Sequence, residues 1–411
     1  MDEGKHVTGE AGAEAPGPLC GIRVLEMGQL IAGPFCGQLL ADFGADVVKV
    51  EPPGTGDPMR QWGKMTADGN PLWWPVIGRN KKSITLNLRT PDAREAVKAL
   101  IAHTDILIEN FRTGRMEEWG LSYEELAAIN PGLIMVRITG FGQTGPYSNR
   151  AGFASVCEAM GGMRYVNGYP DRAPVRMGIS LGDTLAGMNG FQGALLALQH
   201  RNRTGLGQVI DVSIYESVLS VMEGLVSEFD GAGYVRERAG PYLKGIAPSN
   251  AYPTRDGETI IIGANHDSLF RRLTDLMLQP ELASDERFLN HQLRGQNQEL
   301  LDGIIADWTK TRDAFDLEEA LAAAGVPAGR AFRASDMLND AHFAARDSIT
   351  RVADSKLGSI AMQNVFPVLS ASPGGIRTTG PDLGAHTDEI LHDWGGYEQA
   401  KLDELKKAGV L

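Results

Sequence analysis

The sequence predicts an α/β protein that combines a mostly parallel sheet with a smaller α+β unit. Residues 21–51 contain a strand, a glycine-containing loop, a helix and a second strand, which is the order of a βαβ unit. Strand and helix patterns continue to alternate as far as residue 139, and such alternation favours a parallel sheet covered by helices on both faces. A change to Gly, Pro, Tyr and charged residues at 231–250 separates this region from the different pattern that follows.

Turn residues and periodicity define the individual elements. Pro34 in a first turn and Gly44 just beyond a last turn predict a helix at 34–43. Strands at 23–27 and 45–51 flank this helix. The other predicted elements are strands at 84–88, 105–110, 133–139, 208–213 and 259–263, helices at 91–103, 122–130, 185–201, 334–338 and 398–408, and a second long helix that begins near 215.

We expect two folding domains in this chain. Its 411 residues, of which 43% are hydrophobic, are sufficient for two cores. The expected division is a mobile arm at 1–18, the N-terminal part of a large domain at 19–230, a linker at 231–250, a small domain at 251–329 and a return to the large domain at 330–411.

Composition disfavours several functional classes. Lys and Arg number 39 against 52 Asp and Glu, and the resulting net charge of −13 disfavours binding to nucleic acid or to an anionic membrane. No apolar run is long enough to span a bilayer, and residues 1–18 lack the apolar core of a signal peptide. Three cysteines without a CxxC pair indicate a reducing compartment, so we expect a cytoplasmic protein. No histidine pattern indicates a metal site.

The first βα turn resembles a dinucleotide-binding turn only in part. Gly28 and Gly33 are five residues apart, so the GxGxxG pattern of nicotinamide dehydrogenases is absent. N–H groups at the following helix start could bind an anion or an adenosine-type ligand. A purely structural turn is the alternative, and both interpretations remain open at this point.

Two candidate nucleophiles lie close together at 178–183. Residues 178–182 match GxSxG with Ser180 at its centre, but the preceding residues 174–177 contain Pro and Arg, which do not suit the buried strand of a nucleophile elbow. Asp183 follows directly. Its carboxylate could cap the next helix, or it could act as a covalent nucleophile.

A set of motifs in a fixed order resembles family III CoA-transferases, the carnitine dehydratase and bile-acid-inducible protein group. The segments that carry this resemblance are 24–26, 32–34, 44–51, 80–84, 109–112, 178–183, 205–208 and 383–391. The resemblance extends from Leu19 to the C terminus. It implies a Rossmann-like large domain with a parallel sheet, a small α+β domain, and an interlocked homodimer.

The resemblance also implies the site residues. Asp183 would be the catalytic nucleophile that forms covalent aspartyl intermediates, CoA thioesters would be substrates, and no cofactor would be tightly bound. The residues expected to bind CoA are Gln29, Leu30, Ile31, Ala32, Leu86, Asn110 and Phe111, with Arg112, Arg115 and Arg150 as candidates for its phosphates. The residues expected to line the substrate pocket are Trp62, Trp73, Phe153 and Gly182. Backbone N–H groups near Gly182 are expected to stabilise oxyanions.

Differences from individual branches narrow the expected substrate. Pro52 and Glu118 stand where oxalate-type members have arginines, which disfavours that branch. Segment 247–257 looks more like the branch that uses succinyl-CoA with malate, citramalate, itaconate or glutarate. An α-methylacyl-CoA racemase is the alternative within the family, although its histidine is missing from 151–154. A non-catalytic CoA-binding protein is a third possibility, which the intact Gly182-Asp183 pair disfavours.

Overall fold

The computed structural model describes residues 17–411, which form two compact units. The units are, first, residues 17–163, Met177–Glu223 and Ala345–Leu411 and, second, Arg164–Arg176 and Gly224–Ala344. The expected arm lies outside the described residues except for its last two positions, of which Gly17 accepts a hydrogen bond from the Cys20 N–H at 2.9 Å. The predicted division into functional domains stays a prediction.

Strands and helices alternate along the described chain. The strands are β1 (Arg23–Glu26), β2 (Asp46–Glu51), β3 (Lys81–Thr85), β4 (Ile106–Glu109), β5 (Ile134–Thr139), β6 (Val209–Ser213), β7 (Ser249–Pro253), β8 (Thr259–Gly263), β9 (Ala328–Arg330), β10 (Ile349–Asp354) and β11 (Gly358–Gln363). The helices are α1 (Ala32–Asp42), α2 (Trp74–Ile77), α3 (Pro91–Ile101), α4 (Arg115–Glu118), α5 (Tyr123–Ile129), α6 (Ala154–Met160), α7 (Met163–Val166), α8 (Leu181–Thr204), α9 (Ile214–Leu219), α10 (Leu225–Ala232), α11 (Asp267–Leu276), α12 (His291–Gln296), α13 (Gln298–Thr309), α14 (Ala314–Ala323), α15 (Ala334–Asn339), α16 (Ala341–Ala345), α17 (Thr387–Asp393) and α18 (Gln399–Lys407). None of these helices is long and apolar enough to cross a membrane.

Strands β1 to β6 form one parallel sheet in the order β3-β2-β1-β4-β5-β6. The strand order reverses between β1 and β4, so a crevice forms at the carboxyl ends of these two strands. This sheet confirms the predicted α/β architecture.

Helices cover both faces of the parallel sheet, because successive apolar residues of each strand face opposite sides and both sides must be buried. Leu25 belongs to the core shared with α3, α5, α17 and α18, whereas its neighbour Val24 belongs to the core shared with α1 and α8. Because successive side chains of a strand point to opposite faces, the sheet buries an apolar layer on each side.

Three predicted elements are wrong in their bounds. Strand β3 begins at Lys81 rather than at residue 84, because the Lys81 side chain is buried in an ion pair instead of facing solvent. Helix α8 begins at Leu181, four residues before its predicted start, with Ser180 as its N-cap. The long helix predicted near 215 is the six-residue α9, and α10 begins only after a break.

The second unit has its own core around an antiparallel sheet of three strands, β7-β8-β9. Tyr252, Ile260, Phe270 and Leu301 are among the fully buried residues of this core. The unit extends through Ala344, beyond the small domain predicted at 251–329.

A C-terminal segment of the first unit covers the outer edge of β3. The His386 N–H donates to the Ser83 carbonyl at 2.9 Å, and the Ser83 N–H donates to His386 Nδ1 at 3.2 Å. The Thr85 N–H donates to Thr387 Oγ1 at 3.0 Å. Residues that are distant in sequence therefore satisfy the free backbone groups of this edge strand.

Candidate active site

Asp183 lies in the first turn of α8, three residues after the N-cap residue Ser180. This position overturns the interpretation of Asp183 as the capping residue. Its side chain is half-buried. The dipole at a helix start interacts favourably with a carboxylate in the first turn, and a carboxylate can act as a covalent nucleophile.

Glu158 of α6 lies directly against the start of α8. Its Oε1 accepts the Gly182 N–H at 3.1 Å, and the side chain is buried. A methyl group on Gly182 would come to 3.1 Å from Glu158 Cγ and 3.2 Å from Ile214 Cγ2, so glycine allows this close approach. The Gly182 N–H is already engaged, and the oxyanion donors expected near Gly182 would have to be other amides.

Cys157 adjoins the same carboxylates but is not suited to nucleophilic attack. Burial raises the pKa of its thiol to about 11, and the negative charges of Asp183 and Glu158 contribute in the same direction. The Cys157 Sγ donates to the Gly140 carbonyl at 3.2 Å. Because only a thiolate is a good nucleophile, this buried thiol is a poor candidate for the attacking group.

Ser180 lacks the surroundings of a nucleophile elbow. Such an elbow places the serine on a sharp turn between a buried strand and a helix. Residues 171–180 contain no strand, and the neighbouring Ile179 is 58% exposed. The GxSxG match therefore reflects a helix N-cap and does not support a serine hydrolase.

The loop between β1 and α1 is folded tightly on itself. Asn110 Oδ1 accepts the Gln29 N–H at 2.8 Å, and Asn110 Nδ2 donates to the Gln29 carbonyl at 2.8 Å. A methyl group on Gly28 would stand 3.1 Å from the Cα of Gly33. The two glycines that resembled part of a dinucleotide fingerprint are thus required for the packing of the turn.

Four charged side chains lie buried beneath this loop. Lys49 Nζ is 2.9 Å from Glu26 Oε1 and 2.8 Å from Asp57 Oδ2, and Lys81 Nζ is 2.7 Å from Glu26 Oε2. Burial alone would lower the pKa of Lys49, but the Glu26 and Asp57 carboxylates hold its pKa above the usual value. The sequence alone does not indicate this network, because charged residues are normally exposed.

A cavity of about 750 Å³ opens at the carboxyl ends of β1 to β4. Three residues expected to bind CoA line it, namely Gln29, Leu86 and Phe111. Arg89 and Arg115 also line it and supply positive charge. Nothing in the sequence around Arg89 distinguishes it from any other exposed arginine.

The other arginines proposed for CoA are engaged outside the residues that line this cavity. Arg112 Nη2 donates to the Asn149 carbonyl at 2.8 Å, and the Arg150 guanidinium lies 3.6 Å from the Tyr147 ring centroid. Both side chains are exposed, so their contact with CoA stays a prediction.

The aromatic residues expected in the substrate pocket are partly exposed. Trp62 and Trp73 flank a loop and are 38% and 45% exposed, and the Trp73 ring packs over Gly63. Phe153 is the N-cap of α6, four residues before Cys157, and is 52% exposed. Their role in binding an acyl group stays a prediction.

The fold and the site define an α/β enzyme with a carboxylate at a helix start and a nucleotide-type crevice at the reversal of strand order. Residues 19–387 match CoA-transferase family III, and the chain belongs to that family. The resemblance inferred from the motifs and the expected enzyme class are therefore confirmed.

Similar proteins extend over nearly the whole chain. The succinyl-CoA–D-citramalate CoA-transferase of Chloroflexus aurantiacus is 56% identical over 96% of this chain and 98% of its own. The succinyl-CoA–L-malate CoA-transferase beta subunit of the same organism is 42% identical over 96% and 98%. A CAIB/BAIF family protein from Brucella suis has a similar structure, with a TM-score of 0.82, 35% identity, and coverage of 92% of this chain and 100% of that one.

Proposed function

We propose that this enzyme transfers CoA from succinyl-CoA to a short dicarboxylate of the citramalate or malate class, with Asp183 as the covalent nucleophile. The observation that carries the proposal is the position of Asp183 in the first turn of α8 in a chain of this family. The names of the two Chloroflexus relatives support succinyl-CoA as donor and a hydroxylated dicarboxylate as acceptor.

The first half of the reaction moves CoA onto the enzyme. A carboxylate oxygen of Asp183 attacks the thioester carbon of succinyl-CoA, the C–S bond breaks, and CoA leaves as its thiolate. The product is a mixed anhydride of Asp183 and succinate. The thiolate then attacks the carbonyl carbon of Asp183, which releases succinate and leaves an aspartyl-CoA thioester.

The second half repeats these steps with the acceptor. A carboxylate oxygen of the acceptor attacks the aspartyl thioester and releases the CoA thiolate. The thiolate attacks the acceptor carbonyl of the new mixed anhydride, which forms the acyl-CoA product and frees the Asp183 carboxylate. No proton is gained or lost over the cycle, so the mechanism needs no general base.

The nucleotide part of CoA would occupy the crevice at the carboxyl ends of β1 to β4. The Gln29 loop, Leu86 and Phe111 would contact it from one cavity. Arg89 and Arg115 would supply charge for its phosphates, because arginine forms strong charge-assisted hydrogen bonds with phosphate oxygens.

We also propose that the enzyme is a homodimer, interlocked as the family resemblance implies. In the first unit, Leu196 of α8 is 72% exposed, and in the second unit, Val226 and Phe229 of α10 are each 61% exposed. Large exposed apolar side chains favour an interface between chains. Light scattering at micromolar concentration should give twice the mass of one chain, and a monomeric mass would contradict the dimer.

The experiment that tests the function is a search for the covalent intermediate. The protein is incubated with succinyl-CoA without acceptor, and intact-mass and peptide spectrometry locate the adduct. We expect a succinyl or CoA adduct on Asp183 that is absent from Asp183→Asn, together with loss of transfer to citramalate and malate. Ser180→Ala is the matched control and should retain both.

Other outcomes would favour other functions. An adduct on Ser180 would support the hydrolase. Incorporation of deuterium at the α-carbon of a methylacyl-CoA without CoA transfer would support the racemase. Absence of any adduct or transfer with several acyl-CoA donors would contradict the proposal.

A further inference from the structure

The Asp57 carboxylate connects two segments of the chain, the loop between β1 and α1 and the 3₁₀ helix that follows Asp57. Both of its oxygens lie 3.2 Å from the Leu30 N, which donates to them from the loop between β1 and α1. Its Oδ1 also accepts the Met59 N–H at 2.9 Å and so caps the 3₁₀ helix Pro58–Arg60. That helix ends two residues before Trp62.

Lys49 holds the same loop at a second point. Its Nζ donates to the Gly28 carbonyl at 2.8 Å while it pairs with Asp57 at 2.8 Å. One buried ion pair therefore fixes a carbonyl on one side of Gln29 and an N–H on the other. The side chains of Lys49 and Asp57 are each 1% exposed, so water does not compete for these contacts.

The loop needs such external contacts. Leu30 has φ +64°, in the left-handed region that a residue with a branched side chain rarely adopts. The conformation persists only where surrounding groups impose it. The contacts of Asp57 and Lys49, with the Asn110 amide on Gln29, are the groups that do so here.

We propose that Asp57 is a positioning residue for CoA, which sets the Gln29–Ala32 loop and the Trp62 segment relative to each other. The inference rests on the proposed function, since it requires that this loop binds CoA. Loss of the charge on Asp57 would weaken the acceptor of the Leu30 N–H and the pairing of Lys49. The loop would then sample other conformations, and CoA would bind to only a fraction of them.

The test compares Asp57→Asn with Asp42→Asn. Asp42 is 1% exposed and pairs with Arg79 at 2.6 Å, so its substitution also disrupts a buried ion pair, at the opposite end of α1. Calorimetry measures the Kd for CoA, kinetics measures KM and kcat with succinyl-CoA, and hydrogen exchange of the unliganded proteins measures protection at residues 28–32 and 59–65.

We expect Asp57→Asn to raise the Kd and KM by about tenfold or more, because small displacements of positioning groups weaken binding and catalysis strongly. Exchange should become faster in both segments. Asp42→Asn should lose comparable thermal stability but keep the wild-type Kd and the wild-type exchange in these segments. Should Asp57→Asn not fold, Asp57→Glu, which keeps the charge and displaces it by one methylene, should show the same pattern more weakly.

The experiment distinguishes a failure of the positioning role from a failure of the proposed function. If wild type binds CoA and the Asp57 variants bind it with the same Kd, the positioning role is overturned and the proposed function stands. If wild type binds no CoA, the proposed function is overturned together with this inference.

Discussion

Gly187 of α8 lies so close to Ala32 of α1 that a methyl group on Gly187 would stand 2.9 Å from the Ala32 carbonyl oxygen. The same methyl group would be 3.0 Å from Phe35 Cδ1. Gly187 follows Asp183 by about one helical turn, and Ala32 is both the last residue of the loop expected to bind CoA and the first residue of α1. This glycine therefore sets the spacing between the helix of the nucleophile and the helix that begins at the CoA loop.

Gly187→Ala should push α8 away from α1. We expect a loss of about 1–3 kcal/mol in the free energy of unfolding, as for other overpacked cores. The kcat for CoA transfer should fall more than the KM for succinyl-CoA rises, because Asp183 moves with α8. Steady-state kinetics and denaturant unfolding measure both effects.

Gly303→Ala is the matched control for this change. Gly303 lies inside α13, and a methyl group there would meet no atom within 4 Å. It should leave kcat unchanged and stabilise the second unit by about 0.5–1 kcal/mol, since alanine is the better helix former. Wild-type kcat in Gly187→Ala would show that the helix spacing does not affect the chemistry.

Arg89→Ala and Arg115→Ala should each weaken the binding of CoA. We expect the KM for succinyl-CoA to rise about tenfold with little change in kcat, because each loses a charge-assisted hydrogen bond to a phosphate. The KM of the wild-type enzyme should also rise with salt, and less steeply in the variants.

Arg351→Ala, at an exposed position of β10, provides the control for the loss of a positive charge. It should keep the wild-type KM at all salt concentrations. Equal effects of all three substitutions would mean that the arginines act through net charge and do not bind CoA directly.

Glu109 should make stability depend on pH in a defined direction. Burial raises its pKa from the usual 4.5 to about 6, although Arg137 Nε lies 2.7 Å away. The native state therefore binds this proton more tightly than the unfolded state. The stabilising contribution of Glu109 is complete below about pH 4.5 and is lost as the pH rises through about 6. The free energy of unfolding should change by about 2 kcal/mol over this range.

Glu109→Gln removes this titration. The melting temperature of wild type minus that of Glu109→Gln should decrease as the pH rises from 5 to 7. Thermal unfolding of both proteins across this range measures the difference. A difference that rises with pH, or does not change, would contradict the raised pKa.

Local signals in the sequence were sufficient for the parallel sheet. Strand β8 was predicted with its observed bounds, because its apolar run ends at a glycine. Helix α1 was predicted to within two residues, because Pro34 and Gly44 mark its ends. Such signals depend only on neighbouring residues, and distant parts of the chain do not alter them.

The features that could not be predicted depend on partners distant in sequence. Lys81 is buried because Glu26 neutralises it, and nothing near Lys81 in the sequence indicates that pairing. The early start of α8 depends on Glu158, which accepts the N–H of Gly182. Arg89 becomes a candidate only when the sheet brings it to the same cavity as Phe111.

Thr387→Val should destabilise the edge of the sheet. Thr387 Oγ1 accepts the Thr85 N–H at 3.0 Å and donates to the Gly384 carbonyl at 2.9 Å. Its loss leaves the partly buried Thr85 N–H without that acceptor, so we expect the free energy of unfolding to fall by about 1–3 kcal/mol, measured by thermal unfolding. Thr350→Val is the control, because the Thr350 side chain makes no hydrogen bond within residues 17–411. This substitution should leave the free energy of unfolding nearly unchanged.

Because a C-terminal segment covers the edge of β3, this edge stays unpaired while the rest of the chain is translated. The partners of Ser83 and Thr85 lie 303 and 302 residues further along the chain. At typical synthesis rates the nascent chain would carry an uncovered strand edge for about 15–60 s before those partners leave the ribosome. An uncovered edge can pair with other chains, so we expect newly made protein to depend on chaperones or slow expression until its last residues are synthesised.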